Sequence, residues 1–285
     1  MFISEHVQEF RTSSMCRVLN VSRSGYYAWR DRSPSGRSLE NEALLASIRR
    51  IHIETKKRYG APRIYKQLQT ERVPCGKNRI ARLMRQEGIV PARIHRYKCA
   101  TRSRQRRLLV APNVLNRNFR VNQPNRVWAG DITCFWTGSG WLHLAVVMDL
   151  FSRRIIGWAM GNRMTEELTL GSLGMALLTR QPKHPLLHHS DQGSQYMADR
   201  FQAMLKNHQI TPSMSRKGDC YDNAVLESFF KSVKAEIPWH RRFKTREEAR
   251  KELFEYIEVF YNRKRLHSTL GYKSPMTYER EFNLI

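Results

Sequence analysis

The sequence predicts an α/β unit, a mixed five-stranded sheet flanked by helices, preceded by an all-α region. Three observations carry this. Apolar residues recur with helical spacing up to about residue 91 and with strand-like spacing after residue 122. The runs after residue 122 follow the order β-β-β-α-β-α-β-α. Positive charge gathers ahead of the switch: residues 1–122 hold 27 Lys and Arg against 8 Asp and Glu, a net of +19. Residues 123–285 hold 23 against 17, a net of +6.

The first half begins with a short segment, residues 1–38. Within it "SMCRVLNVSRSGYYAWRD" suggests the back half of a helix-turn-helix, or an ordinary helical hairpin. Residues 39–91 form the firmer unit. Leu44, Leu45, Ile48 and Ile51 share one helical face. "YGAPRIYKQLQTE" gives a second helix with Pro62 near its start and Ile64 and Leu68 inward. "KNRIARLMRQEG" gives a third, with Ile80, Leu83 and Met84 inward and Lys77, Arg79, Arg82 and Arg85 outward. Three short helices with a sharp turn before a basic last one match a helix-turn-helix DNA-binding module; a charged packing unit is the alternative. Residues 92–122 are expected to be a basic linker. Its core, "ARIHRYKCATRSRQRR", lacks apolar periodicity, and His95 and Cys99 have no paired ligands nearby to suggest a metal.

Residues 123–285 carry the sheet. "RVWAGDITCFW", "GWLHLAVVMDLFS" and "RIIGWAMG" are three strands joined by short turns. The helix "TEELTLGSLGMALLTR" follows, with Thr165 as its expected cap. Then come the strand "PLLHHSD", a helix through "ADRFQAMLKNHQ", the short strand "ITPSMS" and the helix "AVLESFFKSVKAE". Three antiparallel strands extended through helical crossovers give the ribonuclease H-like arrangement, with the first and fourth strands adjacent. A C-terminal helical extension ends in a basic turn. Leu253, Ile257 and Phe260 form its buried stripe, and Arg263, Lys264, Arg265 and His267 are placed to meet phosphates or cap the helix end.

Composition narrows the function. A net charge of +25 points to a polyanion, most simply nucleic acid. No apolar stretch is long enough to span a bilayer, and no membrane partner is expected. Five scattered cysteines with no C-x-x-C pair argue against a disulfide scaffold or a zinc ribbon and fit a reducing cytoplasm.

Three acids stand out. Asp131 lies mid-strand among Trp128, Ile132 and Phe135, where a charge needs a reason. Asp191 ends a strand in "HHSDQGSQY", where Gly193 permits a tight turn; a turn-forming aspartate is the plain alternative. Glu227 sits on the helix after "DNA". The strand order brings all three toward one point. Close carboxylates repel unless a cation sits among them, and hard oxygen donors without His or Cys imply Mg²⁺ or Mn²⁺, two ions being expected. On a helical wheel, Asn223, Lys231 and Lys234 share the stripe of Glu227.

"WAGDIT", "HSDQGSQY", "SMSRKGDCYDNAVLESFF" and "YNRKRLHSTLGYKSPMTYE" resemble the retroviral-integrase-like DDE transposases of bacterial insertion sequences, in particular the second-frame products of elements with two overlapping reading frames. The resemblance runs from about residue 14 to the end. It implies Asp131, Asp191 and Glu227 as a metal-binding catalytic triad. It implies strand cleavage at element ends that frees a 3′-hydroxyl, and attack of that hydroxyl on target DNA. It further implies a cytoplasmic, nucleoid-associated place in a bacterium and self-association on DNA. Lys231 and Lys234 resemble the DNA-contacting pair of retroviral integrases. Together with Lys77, Arg79, Arg82, Asn223, Arg265 and His267 they make the expected DNA contacts. The family's complete transposase begins with an upstream helix-turn-helix and coiled coil joined by frameshifting. This sequence has only a partial helix-turn-helix there and no sustained heptads, so the upstream-frame product is an expected partner. Two other readings are a non-catalytic DNA-binding regulator, which need not keep the acids, and a ribonuclease H-type nuclease, which needs no sequence-reading module.

Overall fold

The computed structural model describes residues 2–92, 110–183, 185–216, 219–237 and 243–283. All of the basic stretch 92–107 except its first residue, including His95 and Cys99, lies outside them.

The all-α region has two parts. Helices α1 (Phe2–Glu5), α2 (Thr12–Val18) and α3 (Arg23–Arg30) close around Ile3, Met15, Cys16 and Tyr26. Ser22 caps α3, its hydroxyl accepting the Gly25 N–H at 3.0 Å. Helices α4 (Gly36–Glu54), α5 (Ala61–Thr70) and α6 (Lys77–Gln86) form the second part. Their apolar stripes meet as the spacing predicts: Ile48, Ile64, Leu68 and Ile80 are fully buried.

Strands β1 (Val127–Thr137), β2 (Gly140–Asp149), β3 (Ile155–Gly161), β4 (Leu186–Ser190) and β5 (Ile210–Met214) form one sheet in the order β3-β2-β1-β4-β5. β1 and β2 pair antiparallel from Trp128↔Asp149 to Thr137↔Gly140. β1 pairs parallel with β4 only over Val127–Ala129, and β4 pairs parallel with β5. β1 therefore runs on beyond the end of β4, and a cleft opens there.

Helices α7 (Glu166–Arg180) and α8 (Asp199–Asn207) cover one face through Leu173, Phe201 and Leu205, against Trp128, Val147 and Ile156. Helix α9 (Ala224–Glu236) and α10 (Arg246–Phe254) belong to the core on the other, with Leu226, Phe230, Val233 and Leu253 beside Ala129, Phe135, Leu142 and Leu144. Each such side chain contributes about 1.5–3 kcal/mol, which outweighs a helix cap at about 1 kcal/mol. Burial thus sets where α9 lies. The expected Thr165 cap is corrected: Thr165 holds the N-cap position but its side chain makes no cap bond. Glu166 and Glu167 in that first turn instead take Arg200 at 2.8 and 3.1 Å.

The C-terminal extension departs from a plain amphipathic helix. α10 runs on as a π-helical segment, Glu255–Tyr261, and α11 (Pro275–Asn283) follows. Tyr256, Ile257, Phe260 and Tyr261 are all buried and, with Leu253, keep the i, i+3, i+4, i+7, i+8 spacing of one helical stripe.

This extension receives the α4–α6 unit. The Tyr59 hydroxyl donates to the Lys264 carbonyl and accepts the Leu266 N–H, both at 3.0 Å. Arg63 Nε donates to the Leu266 carbonyl (3.1 Å) and Arg58 Nε to the Glu236 carbonyl (3.2 Å). The Arg58 guanidinium also lies 4.4 Å over the Phe260 ring. Apolar residues from both parts merge into one core.

Candidate active site

Asp131 stands on β1 two residues past the last pairing with β4, and Asp191 follows the last residue of β4. Asp131 thus lies mid-way along β1, level with the carboxyl end of its parallel neighbour β4, where α/β sheets open a crevice. Asp131 Oδ1 accepts the Ile132 N–H at 2.7 Å. Asp191 Oδ1 accepts the Gly193 N–H at 2.9 Å, so Asp191 also forms the turn that its sequence context suggests. Gly193 serves here by its bareness: a Cβ would come within 2.9 Å of Asp191 Oδ1 and 3.0 Å of Gln195 Oε1. Gly130 is constrained in the same way, since a Cβ would come within 2.9 Å of the His188 ring.

The electrostatics tie the acids together. Burial, then the Asp191 carboxylate, pushes the Asp131 carboxyl well above the usual carboxylate range. Glu227 adds to this, while the Ile132 N–H and Lys234 act against it. Burial also raises Asp191, with the Gly193 N–H opposing. The Tyr196 hydroxyl, fully enclosed beside them, is raised by burial and then by the two aspartates. Two carboxylates that resist joint ionisation form a site short of positive charge.

Glu227 lies in the first turn of α9 with its side chain 35% exposed, and Lys231 reaches it at 3.2 Å. Among the described residues, no three His, Cys, Asp or Glu side chains are gathered closely enough to hold a metal. The two aspartates and Glu227 therefore share a field without forming a closed ligand set. The oxygen-only donors and the excess negative charge fit a hard divalent cation.

The expected DNA contacts divide. Lys77, Arg82 and Lys231 are exposed. Arg79 is drawn back onto α4, bonding Asn41 Oδ1 at 2.8 Å and Glu40 Oε2 at 3.0 Å. Lys234 is half-buried, its Nζ 5.8 Å over the Phe135 ring on the Asp131 side of α9. Asn223 is corrected: it is buried at the start of α9, not on its exposed stripe. Arg265 is also corrected. It is 4% exposed and locked to Glu236 by Nε and Nη2 (2.8 and 2.7 Å) and to Ser232 Oγ by Nη2 (3.0 Å). Burial works against that charge, but the Glu236 carboxylate holds Arg265 above its ordinary pKa. His267 is half-buried with Nδ1 2.9 Å from the Thr269 hydroxyl, and burial, then Arg265, lowers its pKa to about 4. An uncharged, turned-in imidazole is a poor phosphate ligand.

Two groups escaped the sequence reading. Tyr196 is buried close enough to Asp131 and Asp191 for both to raise its hydroxyl, signalled only by its place in "HHSDQGSQY". Asp222, fully buried ahead of α9, gathers Arg216 Nη2 (3.0 Å), Arg117 Nε (2.8 Å) and Asn113 Nδ2 (2.8 Å). Arg117 lies 105 residues away along the chain, so spacing carries no sign of the contact.

Comparison with known proteins adds three family matches: an integrase core domain over residues 121–220, an HTH-like domain over 39–97, and a second integrase core domain model over 227–282. The chain is 41% identical over 283 residues to the transposase InsF for insertion sequence IS3A of Escherichia coli (strain K12), covering 99% of this chain and 98% of that one. It is 42% identical over 269 residues to an uncharacterized 31 kDa protein of insertion element IS600 of Shigella sonnei, covering 94% and 98%. Among solved structures it is similar to the HTLV-2 integrase catalytic core domain in complex with magnesium, at 18% identity and a TM-score of 0.44, over 56% of this chain and 99% of that one.

Proposed function

This chain belongs to the family of insertion-sequence transposases with an integrase core, and on that premise we propose that it is a DNA transposase whose catalytic carboxylates are Asp131, Asp191 and Glu227. The observation that carries the assignment is the closeness of Asp131, mid-way along β1, to Asp191 at the end of β4, where burial and mutual repulsion raise the Asp131 carboxyl.

Asp131, Asp191 and Glu227 would hold Mg²⁺ or Mn²⁺. Bound there, the cations supply charge that acidifies the attacking hydroxyl or water and stabilises the departing oxygen. The chain's own residues do the rest. Hydrogen bonds from the Ile132 and Gly193 N–H groups hold one oxygen of each aspartate, and the second oxygen of each would serve the cation. Glu227 turns from Lys231 toward the pair, and the freed Lys231 joins Lys234 in holding phosphates beside the scissile bond. Water attacks the phosphorus at the element end, a P–O bond forms, and the opposite P–O bond breaks to leave a 3′-hydroxyl. That hydroxyl then attacks a target phosphodiester in the same way. No covalent intermediate on the protein is needed. Lys77 and Arg82 on α6 are the proposed contacts to the element end.

The test is strand transfer with labelled element ends. Asp131→Asn, Asp191→Asn and Glu227→Gln each keep shape and remove a charge. End binding is expected to survive while cleavage and joining fall by orders of magnitude, each ~1.4 kcal/mol lost at the transition state costing tenfold. Near-normal joining by Asp191→Asn sinks the assignment.

A further inference from the structure

Glu227 lies in the first turn of α9, and that end of the helix has no cap of its own: Asn223 holds the N-cap position without a side-chain cap bond. Leu226, Phe230 and Val233 press α9 against the sheet. Such burial is non-directional, so the aim of the first turn is left to hydrogen bonds. Those bonds converge on Asp222, five residues before Glu227.

Asp222 sits in the 3₁₀ turn Cys220–Asn223 and is fully buried. Its Oδ1 accepts from Arg117 Nε at 2.8 Å and Arg216 Nη2 at 3.0 Å. Its Oδ2 accepts from Asn113 Nδ2 at 2.8 Å, the Arg216 N–H at 2.9 Å and Arg216 Nε at 3.0 Å. Arg117 reaches further. Its Nη2 bonds Asp219, and its guanidinium lies 5.7 Å from the centre of the Tyr221 ring. One side chain thus grips three residues of the turn that leads into α9.

Arg117 is anchored in its turn to the strands around Asp191. The Ser213 hydroxyl on β5 accepts the Val114 and Leu115 N–H groups at 3.0 and 3.1 Å. With both lone pairs taken, its O–H donates to His189 Nδ1 at 2.9 Å, and the His189 Nε2–H donates to Ser215 Oγ at 3.1 Å. His189 lies on β4 two residues before Asp191. Gln192, the neighbour of Asp191, donates to the Ser215 carbonyl at 2.9 Å, one residue ahead of Arg216. A continuous polar frame therefore runs from the end of β4, through β5 and residues 113–117, to the turn before Glu227.

A buried carboxylate is a costly stabiliser, because desolvation offsets much of the attraction to its partners. What Asp222 supplies is direction, since guanidinium–carboxylate bonds fix planes as well as distances. We propose that Asp222 and Arg117 are positioning residues: their frame sets the first turn of α9 so that Glu227 is held within reach of Asp131 and Asp191. The proposal rests on the transposase reading above. Both residues act through Glu227.

The experiment titrates the full chain, without DNA, with Mn²⁺ and reads the free ion by electron paramagnetic resonance. The Arg117 side chain is 44% exposed, so its replacement leaves the core intact. Arg117→Gln should weaken Mn²⁺ binding about tenfold, the usual effect of losing a partner that orients a ligand. The Mn²⁺ needed for half-maximal end cleavage should rise by the same factor, with affinity for element ends unchanged. Glu227→Gln should weaken Mn²⁺ binding more, and Arg117→Gln/Glu227→Gln no further than Glu227→Gln alone. Arg117→Lys keeps the charge without the planar fork. It should recover the melting temperature but only part of the Mn²⁺ affinity, which separates aim from folding. Wild-type Mn²⁺ affinity in Arg117→Gln overturns the positioning role, as does a loss that adds in full to that of Glu227→Gln. Mn²⁺ affinity that follows the melting temperature in both Arg117 variants makes the frame merely structural and overturns it too. Weakened end binding with unchanged Mn²⁺ affinity makes Arg117 a DNA contact instead. If Glu227→Gln leaves Mn²⁺ binding and cleavage at wild-type levels, the carboxylate assignment fails and the positioning role with it. If only Glu227→Gln has an effect, the positioning role fails alone.

Discussion

Gly193 shows how much a single missing carbon decides. Its φ lies outside the left-handed region, so the residue is required for space and not for backbone freedom. Gly193→Ala should push the Asp191 carboxylate aside and cut strand cleavage at least tenfold, about 1.4 kcal/mol at the transition state. The melting temperature should move by only a few degrees, and single-turnover cleavage beside a thermal melt checks both. Lys231 and Lys234 supply a second test. Replacing both by Gln should weaken end binding and flatten its salt dependence by up to about two phosphate contacts, while the fold holds; unchanged binding and joining would return them to an ordinary solvated surface. At this scale Asp131 stood out in the sequence because of its company: a charge between Trp128 and Phe135 has no apolar justification. Arg265 was not legible. In sequence it looks like any cation in a basic turn, and its partner Glu236 stands 29 residues earlier.

The five strands were legible to within about three residues, because apolar alternation and helical spacing report burial directly, but α1 and α11 were not. The π-helical stretch Glu255–Tyr261 was not either, since its buried residues keep ordinary α-helical spacing and give no sign of the wider turn. Within β4, His188 is fully enclosed and Nε2 has no partner among the described residues. Burial, then the charge of His189, lowers its pKa to about 3. A His held neutral in the fold binds fewer protons than the unfolded chain, whose value is near 6.5. Its contribution is therefore full above pH 6.5 and lost as pH falls toward 3, amounting to about 2 kcal/mol by pH 5. Asp149 at the end of β2 runs the other way. Burial raises it to about 6, so its contribution is present at low pH and lost as pH rises through 6, about 1.4 kcal/mol between pH 5 and 8. The two nearly cancel in the wild-type chain. Urea unfolding of His188→Phe at pH 5 and 8 should uncover the Asp149 slope, with the variant relatively more stable at pH 5 than at pH 8. An identical pH dependence in variant and wild type would show that His188 is not held neutral.

Across the whole molecule, charge asymmetry separated a basic helical half from a more balanced half that carries the sheet, but not how they meet. That junction is built from long-range contacts such as Tyr59 with Lys264 and Leu266, which leave no periodic trace. Salt should weaken binding of the full chain to duplex DNA steeply, and Lys77→Gln with Arg82→Gln should lower the log–log slope by about one for each phosphate no longer neutralised; anisotropy titrations from low to moderate salt decide this. At the junction itself, Glu236 lies on α9 nine residues after Glu227 and is gripped by Arg265, by Arg63 at 3.2 Å and by the Tyr256 hydroxyl at 2.8 Å. Of these partners only Arg63 comes from the α4–α6 unit, and with Arg58 on the Glu236 carbonyl at 3.2 Å it ties that unit directly to α9. On the proposed function the molecule would work as a calliper: α6 would grip the end sequence, the carboxylates would cut, and the contacts at the junction would set the spacing between them. Each base pair inserted between the gripped sequence and the element boundary should carry the cut one base pair inward from that boundary, at a constant distance from the grip.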